Sequence, residues 1–169
     1  MSNNNAPAET GLALDRFSFL VHLISTRIGL IGYRLCREND INHFSARILV
    51  LLLEREDLRI SDLVESLVLP QSTISSQLQI LQRKGLIRRR RSRKDSRSVF
   101  ISLSPTGLPL AQACDALSRR ANQDMMATLS PEEQQMASDI LHRINAQLIL
   151  IQDSYLDQPV RADPENPTD

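Results

Sequence analysis

The sequence predicts a mainly α protein of the α+β class, in which long terminal helices flank a small lobe of short helices and two strands. Apolar residues recur at helical spacing through most of the chain, which has only five glycines in 169 residues. Two short apolar segments, residues 86–88 and 99–103, have the composition of strands and enclose a run of arginines. Polar segments at the two ends, residues 1–13 and 157–169, predict disordered tails around one domain over residues 14–156.

The first predicted helix is long and is apolar along one side. It covers residues 14–38, about 24 residues, which exceeds the usual length in globular proteins. Its stripe consists of Phe17, Leu20, Ile24, Ile28, Ile31 and Leu35. A second helix, residues 42–54, is apolar on more than one side, so we expect it at the centre of the core. Residues 55–57 are predicted to form a turn.

Two short helices with a tight connection follow. Ser61 is the expected N-cap of the first, residues 62–68. Pro70 separates it from the second, since the residue before a proline is pushed out of helical geometry. Gly85 follows two cations, as at a helix end with a left-handed cap. The buried row of the second helix consists of Ile74, Leu78 and Leu81. Together the two helices predict a helix-turn-helix, and the two strands after them predict its wing, over residues 42–103.

The C-terminal part, residues 104–155, is predicted as two more long helices. Ser104 caps the first, with Pro105 at its first position, and Ser130 with Glu133 forms a capping box that starts the second. The apolar stripes of these helices and of the first helix are too long for the small lobe to cover. A second copy of the chain is the expected partner, so these segments are assigned to dimerisation. A two-fold dimer presents two recognition helices about one DNA turn apart, which matches a palindromic site.

The charge is distributed unevenly along the chain. Residues 83–97 carry nine Lys and Arg and one acid, whereas the rest of the chain has 11 basic and 19 acidic residues. A net charge of zero therefore combines a segment of +8 with a body of −8. Phosphate binding needs local cations, because each neutralised phosphate releases counterions. The position of this run between two strands, directly after an amphipathic helix, favours double-stranded DNA as the partner over a merely solvated surface.

Several other functions are disfavoured. The chain has no nucleophile motif, phosphate-binding loop or paired-acid constellation, so neither an enzyme nor a cofactor is expected. Its three histidines are scattered, and its two cysteines lack metal-ligand spacing and suggest a reducing compartment. Without an apolar run of membrane length or a secretory signal, we expect no membrane partner and a cytoplasmic location. A dimeric winged-helix module that binds another protein is the alternative, but such a module does not need nine cations.

The chain resembles the MarR family of bacterial transcription regulators over residues 17–151. The most specific stretch is STISSQLQILQRKGLIRR, followed by Asp95-Ser96-Arg97 and by Ser104-Pro105-Thr106-Gly107. The family pattern there is Leu-x-x-x-Gly-Leu, a wing with Asp-x-Arg, and a Leu-Thr-x-x-Gly exit. Ser104 stands where the family usually has Thr, and the wing entry is richer in arginine. The resemblance implies an obligate dimer whose terminal helices form the dimer contact, and by family habit a repressor.

The DNA-binding residues are predicted on the second short helix and on the wing. The helix candidates, which can reach phosphates and base edges, are Gln71, Ser72, Thr73, Ser75, Ser76 and Gln77. Packing or capping is the alternative for Thr73 and Gln77. By resemblance, Arg97 reaches into the minor groove and Asp95 braces it. Arg93 and Lys94 are expected on phosphate, and about half of the four arginines at 88–91 are expected to point to DNA.

Regulation is predicted mainly from the resemblance. Many relatives bind small aromatic or phenolic anions and then release DNA. The candidate effector contacts, each with solvation or packing as the alternative, are His22, Arg27, Tyr33 and Arg47. Other relatives sense oxidants through a cysteine near the start of the first helix. Here Cys36 lies near that helix's end and Cys114 lies on an apolar stripe, so packing is favoured over an oxidant-sensing role.

Overall fold

The computed structural model describes residues 16–91 and 99–156. The elements are, in chain order, α1 (Phe17–Ile31), α2 (Tyr33–Glu38), α3 (His43–Glu54), β1 (Leu58–Arg59), α4 (Ile60–Leu67), α5 (Gln71–Arg83), β2 (Ile87–Arg91), β3 (Val99–Leu103), α6 (Gly107–Met126) and α7 (Pro131–Leu156). These confirm a mainly helical chain with a small antiparallel sheet. The chain divides into two compact units, one ending at Asn122 and the other starting at Gln123. The single domain over residues 14–156 stays a prediction.

The long helix predicted for residues 14–38 is interrupted. α1 ends at Ile31 and α2 begins at Tyr33, with Gly32 between them. Gly29 and Gly32 stand one turn apart, and each glycine lowers helix propensity by about 1 kcal/mol relative to alanine. The break lies where the helix is intrinsically weakest, and periodicity alone did not reveal it. After α2, Asp40 adopts a left-handed conformation with φ 50°, and Asn42 then caps α3 by accepting a hydrogen bond from the Ser45 amide.

The core lies between α3, α4, α5 and the sheet. α3 is buried centrally, as its pattern predicts, and the predicted buried row of α5 is also confirmed. The largest fully buried apolar side chains are Ile48, Leu49, Leu63, Ile74, Leu78, Leu81 and Ile101. Burying side chains of this size stabilises the folded state by about 1.5–3 kcal/mol each before the entropy of ordering them is subtracted. This packing fixes α5 on the lobe with most of its polar residues outward.

The sheet has the strand order β1-β3-β2, with both pairs antiparallel. β2 and β3 are the two strands of the predicted wing, although β2 runs further into the arginines than expected. β1 was not predicted; it directly follows residues 55–57, for which a turn was expected. It has two residues, and Leu58 pairs with Ile101, more than 40 positions along the chain. A strand this short has no alternation of its own, so only the fold reveals it.

The predicted N-cap of α4 is wrong. The helix begins at Ile60, with Arg59 at the N-cap position, so that Ser61 lies within its first turn. The Asp62 carboxylate accepts a 2.8 Å hydrogen bond from the Arg59 amide. Because β1 leads directly into the helix, the cap is displaced toward the N-terminus. By contrast, the capping box of α7 is confirmed, with hydrogen bonds in both directions between Ser130 and Glu133. None of the helices described here is long and apolar enough to cross a membrane.

Candidate nucleic-acid interface

The outer side of α5 is polar and accessible. Gln71, Ser72 and Ser76 are exposed, while Thr73 and Ser75 are half-buried at the edge of the helix packing. Pro70 precedes the helix in extended geometry, so the first turn starts cleanly at Gln71, as predicted. Small hydroxyl side chains allow a helix to approach a duplex closely, and they hydrogen-bond to phosphates and to base edges. Five of the six helix candidates therefore share one accessible surface.

Gln77 lies elsewhere. It is only 8% exposed, and its side-chain oxygen accepts a 2.9 Å hydrogen bond from the Ser45 hydroxyl of α3. This arrangement favours the packing alternative for Gln77, which we leave out of the proposed DNA-contacting set. The sequence position of Gln77 already indicated that it is buried, because it stands three residues after Ile74 and four before Leu81, in the buried row. Its polar type had suggested an outward orientation.

The C-terminal end of α5 is closed by a Schellman motif. Gly85 has φ 69°, and its amide donates to the carbonyl of Gln82, while the Leu86 amide donates to the carbonyl of Leu81. This confirms the left-handed glycine stop. The ammonium of Lys84 lies 2.7 Å from the carboxylate of Asp40, at the junction between α2 and α3. Lys84 thus ties the end of α5 to another part of the lobe.

The two ends of the wing meet at Gly85. The hydroxyls of Ser104 and Thr106 lie 2.6 and 2.7 Å from the carbonyl oxygen of Gly85. The Ser104 hydroxyl also accepts a hydrogen bond from the Gly107 amide, as expected of a capping residue. The helix begins only at Gly107, so the prediction that Pro105 occupies its first position is wrong. A Cβ on Gly107 would lie 1.9 Å from the carbonyl oxygen of Leu86. Only glycine permits this close approach, which brings the wing exit against the wing entry.

The arginines of β2 divide between the two faces of the sheet. Arg89 pairs with the buried Ile101 and so shares a face with it, while Arg88 and Arg90 lie on the opposite face. Arg90 forms an ion pair of 2.8 Å with Asp57, and its guanidinium lies 5.4 Å from the ring centre of Phe100. Asp57 and Phe100 were not identified from sequence, because the contact crosses the whole sheet.

The predicted wing-tip residues Arg93, Lys94, Asp95 and Arg97 lie outside the described residues. Their roles stay predictions. The described flanks, Arg91 and Val99, are paired across the two strands, at the end of β2 and β3 farthest from Gly85.

The four effector candidates are exposed but do not form one cluster along the chain. His22 and Arg27 lie on α1, Tyr33 starts α2, and Arg47 lies on α3. Among the described residues, no three His, Cys, Asp or Glu side chains are grouped so that they could hold a metal ion.

Both cysteines are buried and reduced. Burial raises the pKa of the Cys36 thiol, and burial together with the nearby Cys36 raises the pKa of Cys114 to about 11. A reactive cysteine needs an accessible thiolate, so this environment disfavours the oxidant-sensing alternative.

Comparison with known proteins gives a consistent result. The model of the MarR family matches residues 41–99. The Bacillus subtilis HTH-type transcriptional regulator YdgJ is 25% identical over 115 residues, which is 68% of this chain and 70% of that protein. The organic hydroperoxide resistance transcriptional regulator of Bacillus subtilis is 41% identical over 64 residues, 38% of this chain and 44% of that protein. The S. aureus MepR–DNA complex is similar with a TM-score of 0.73 and 25% identity, covering 79% of this chain and 98% of MepR.

The matched segment runs from Ile41, two residues before α3, to Val99, the first residue of β3, so it contains the helix-turn-helix and the basic strand described above. The likeness to MepR extends over more of the chain than the family model does. Residues 41–99 therefore match the MarR family model, and the chain shares its fold with MepR, a protein whose structure has been solved in complex with DNA.

Proposed function

We propose that this protein is a homodimeric repressor that binds a palindromic operator and is released from it by a small aromatic or phenolic effector. The observation that supports this most is the joining of two surfaces at Gly85: the polar side of α5 and the arginine-rich strand β2. A helix that enters the major groove and a basic hairpin beside it need such a fixed relationship. MepR, a structural relative, forms a complex with DNA.

Within this proposal the contacts are divided between two grooves. Small and amide side chains of α5 face the major groove, namely Gln71, Ser72, Thr73, Ser75 and Ser76. Arg97 enters the minor groove, where negative potential is strongest, and Asp95 orients its guanidinium. Arg93 and Lys94 neutralise phosphates at the wing tip. Arg90 does not belong to this set, because Asp57 already pairs with it.

Exposed apolar side chains support the dimer. On α1, Phe17 and Ile24 are 52% and 53% exposed, and on α7, Leu141 and Leu148 are 54% and 53% exposed. Each of these helices, taken by itself, exposes an apolar face that is larger than soluble monomers usually expose. A second copy of the chain is the partner that buries the same faces on both sides of a two-fold axis.

The effector is proposed to bind near α1 and the start of α3. His22, Arg27, Tyr33 and Arg47 are exposed in the single chain and offer cations and an aromatic ring. An aromatic anion is the ligand class that such groups recognise, through charge-assisted hydrogen bonds and stacking. Binding there releases DNA if the ligand prefers a dimer geometry different from the DNA-bound one.

The first experiment measures binding of the purified protein to the DNA upstream of its own coding sequence and to a scrambled duplex, at two salt concentrations. We expect tight, selective binding by a dimer that weakens with salt. Equal weak binding to both duplexes would contradict sequence-specific regulation at that site. No binding at low salt would favour the protein-interaction module. The same assay then screens aromatic acids and phenols for release.

A further inference from the structure

Two polar contacts join the recognition helix α5 to the junction between α2 and α3. Ser45 donates a 2.9 Å hydrogen bond to Gln77, and Lys84 lies 2.7 Å from Asp40. Gln77 and Lys84 are seven residues apart, which is two helical turns, so they lie on the same side of α5. The middle and the end of the recognition helix are therefore both tied to one short segment, residues 40–45.

The partners in this segment are themselves held in place. The Ser45 amide donates to the Asn42 side chain, so the residue that contacts Gln77 is fixed by the N-cap of α3. Asp40 lies in a tight turn, closed by a 2.9 Å hydrogen bond from the Ile41 amide to the carbonyl of Cys36. The two side chains that contact α5 therefore both extend from backbone whose geometry is fixed by hydrogen bonds.

Apolar packing alone does not orient α5 in this way. Its buried residues Ile74, Leu78 and Leu81 belong to the hydrophobic core, and the hydrophobic effect itself has no directional preference. A hydrogen bond between groups as buried as Ser45 and Gln77 does have one, because a rotated helix would leave both groups without a partner. The polar contacts therefore restrict the rotation and tilt that the core permits.

We propose that Gln77 and Lys84, held by Ser45 and Asp40, are positioning residues for DNA recognition. They set the orientation of α5 and thereby where Ser72 and Ser76 meet the duplex. This inference rests on the proposed function, since it assumes that α5 reads DNA. A change at the α2–α3 junction alters operator recognition without touching any residue that contacts DNA.

Asp40→Asn is the most informative variant. Asparagine accepts the left-handed backbone at this position, and the ion pair is exposed, with the Asp40 side chain 93% accessible, so folding is little affected. The variant also removes one negative charge, which on electrostatic grounds strengthens binding to any DNA. We expect the opposite for the upstream duplex: weaker binding by about fivefold, with no loss on the scrambled duplex.

Glu38→Gln is the matched control. It makes the same change of charge at the same junction, but its partner is Arg34 within α2. We expect it to preserve the ratio of upstream to scrambled affinity, and Asp40→Glu to recover part of that ratio. If Asp40→Asn and Glu38→Gln leave the ratio equal to that of the wild type, the ion pair has no positioning role.

The buried contact is tested by Gln77→Met and Ser45→Ala, with Gln82→Met as the control at an exposed position of the same helix. We expect each of the first two to lower the affinity ratio on the order of tenfold, and the double variant to lower it little further, since both remove one contact. Fully additive losses, or a ratio unchanged in folded protein, would overturn the assignment.

A measurement without DNA separates this inference from the proposed function. Amide hydrogen exchange in the DNA-free protein should accelerate in α5 more than in α3 for Gln77→Met, and not for Gln82→Met. If the wild type fails to select its upstream DNA but this exchange pattern is found, the repressor proposal fails and the positioning contacts stand. Uniform acceleration in both helices would show that Gln77 contributes only to global stability.

Discussion

The carboxylate of Asp57, immediately before β1, lies 2.8 Å from the guanidinium of Arg90 on β2, at the opposite edge of the sheet. The contact passes over β3, where the ring of Phe100 lies beneath the guanidinium. Asp57 thus pairs with one arginine of the basic strand, so that this arginine is less available to bind phosphate than the unpaired cations are.

Asp57→Asn is expected to increase affinity for a scrambled duplex by about threefold, because it frees Arg90 and removes a negative charge. The free energy of unfolding should change by no more than about 1 kcal/mol, since both partners are partly exposed. Salt-dependent binding to the scrambled duplex measures the effect. Glu56→Gln provides the same change of charge at the neighbouring exposed position, and an equal gain there would show that release of Arg90 adds nothing.

Gly107→Ala is expected to lower the free energy of unfolding by about 3 kcal/mol, because its Cβ would meet the backbone carbonyl of Leu86 at 1.9 Å. The contacted atoms belong to the backbone of Leu86, which cannot move aside as the end of a flexible side chain could. The wing exit must therefore shift. Urea denaturation measures the loss. Gly32→Ala is the comparison variant, since a Cβ there meets only one atom, at 4.0 Å, and no destabilisation is expected. Similar stabilities for both variants would contradict the tight approach at Gly107.

Val68→Gly is expected to stabilise the protein by about 1 kcal/mol. Val68 has φ 51° and ψ 45°, a left-handed conformation that is costly for a β-branched residue. Its side chain is 79% exposed, so the variant loses little packing. Chemical denaturation tests this expectation. The same substitution at Val64, inside α4, should destabilise, and a loss of stability at both positions would show that the conformation of Val68 carries no strain.

The raised pKa of Cys114 predicts a specific dependence of stability on pH. Both states bind the thiol proton well below pH 9, so the contribution of this group is constant there. Above the ordinary thiol pKa the unfolded chain releases the proton first, and stability declines until the folded pKa of about 11 is reached. Cys114→Ala lacks this decline. The difference in unfolding free energy between wild type and variant, measured from pH 8 to 11, should therefore change by up to about 1.4 kcal/mol per pH unit. A constant difference would contradict the burial effect.

Local patterns predicted most of the lobe, because its helices obey rules that act within one or two turns. The buried row of α5, the glycine stop at Gly85 and the capping box at Ser130 are of this kind. The features of the lobe that were not predicted depend on contacts between residues far apart in the chain. β1 exists because Leu58 pairs with a strand far along the chain, and the start of α4 moved with it.

The candidate interface shows the same division. Periodicity placed the serines of α5 outward, but it could not show that Gln77 meets Ser45, whose position depends on how α3 crosses α5. Likewise, a run of arginines predicts a basic surface without revealing that Asp57 neutralises one member. The periodic pattern can show that a polar residue such as Gln77 lies in a buried row, but it does not show which partner tertiary packing brings to it.

The closed base of the hairpin at Gly85 has a consequence for how new DNA preferences arise. The chain leaves this point at Leu86 and returns to it at Ser104, where backbone and hydroxyl contacts join the two ends. Residues inserted between Arg91 and Val99 would be enclosed by two strands that are already paired, so the added length has a small entropic cost. The length of the chain between β2 and β3 can therefore change while α5 keeps its place on the lobe.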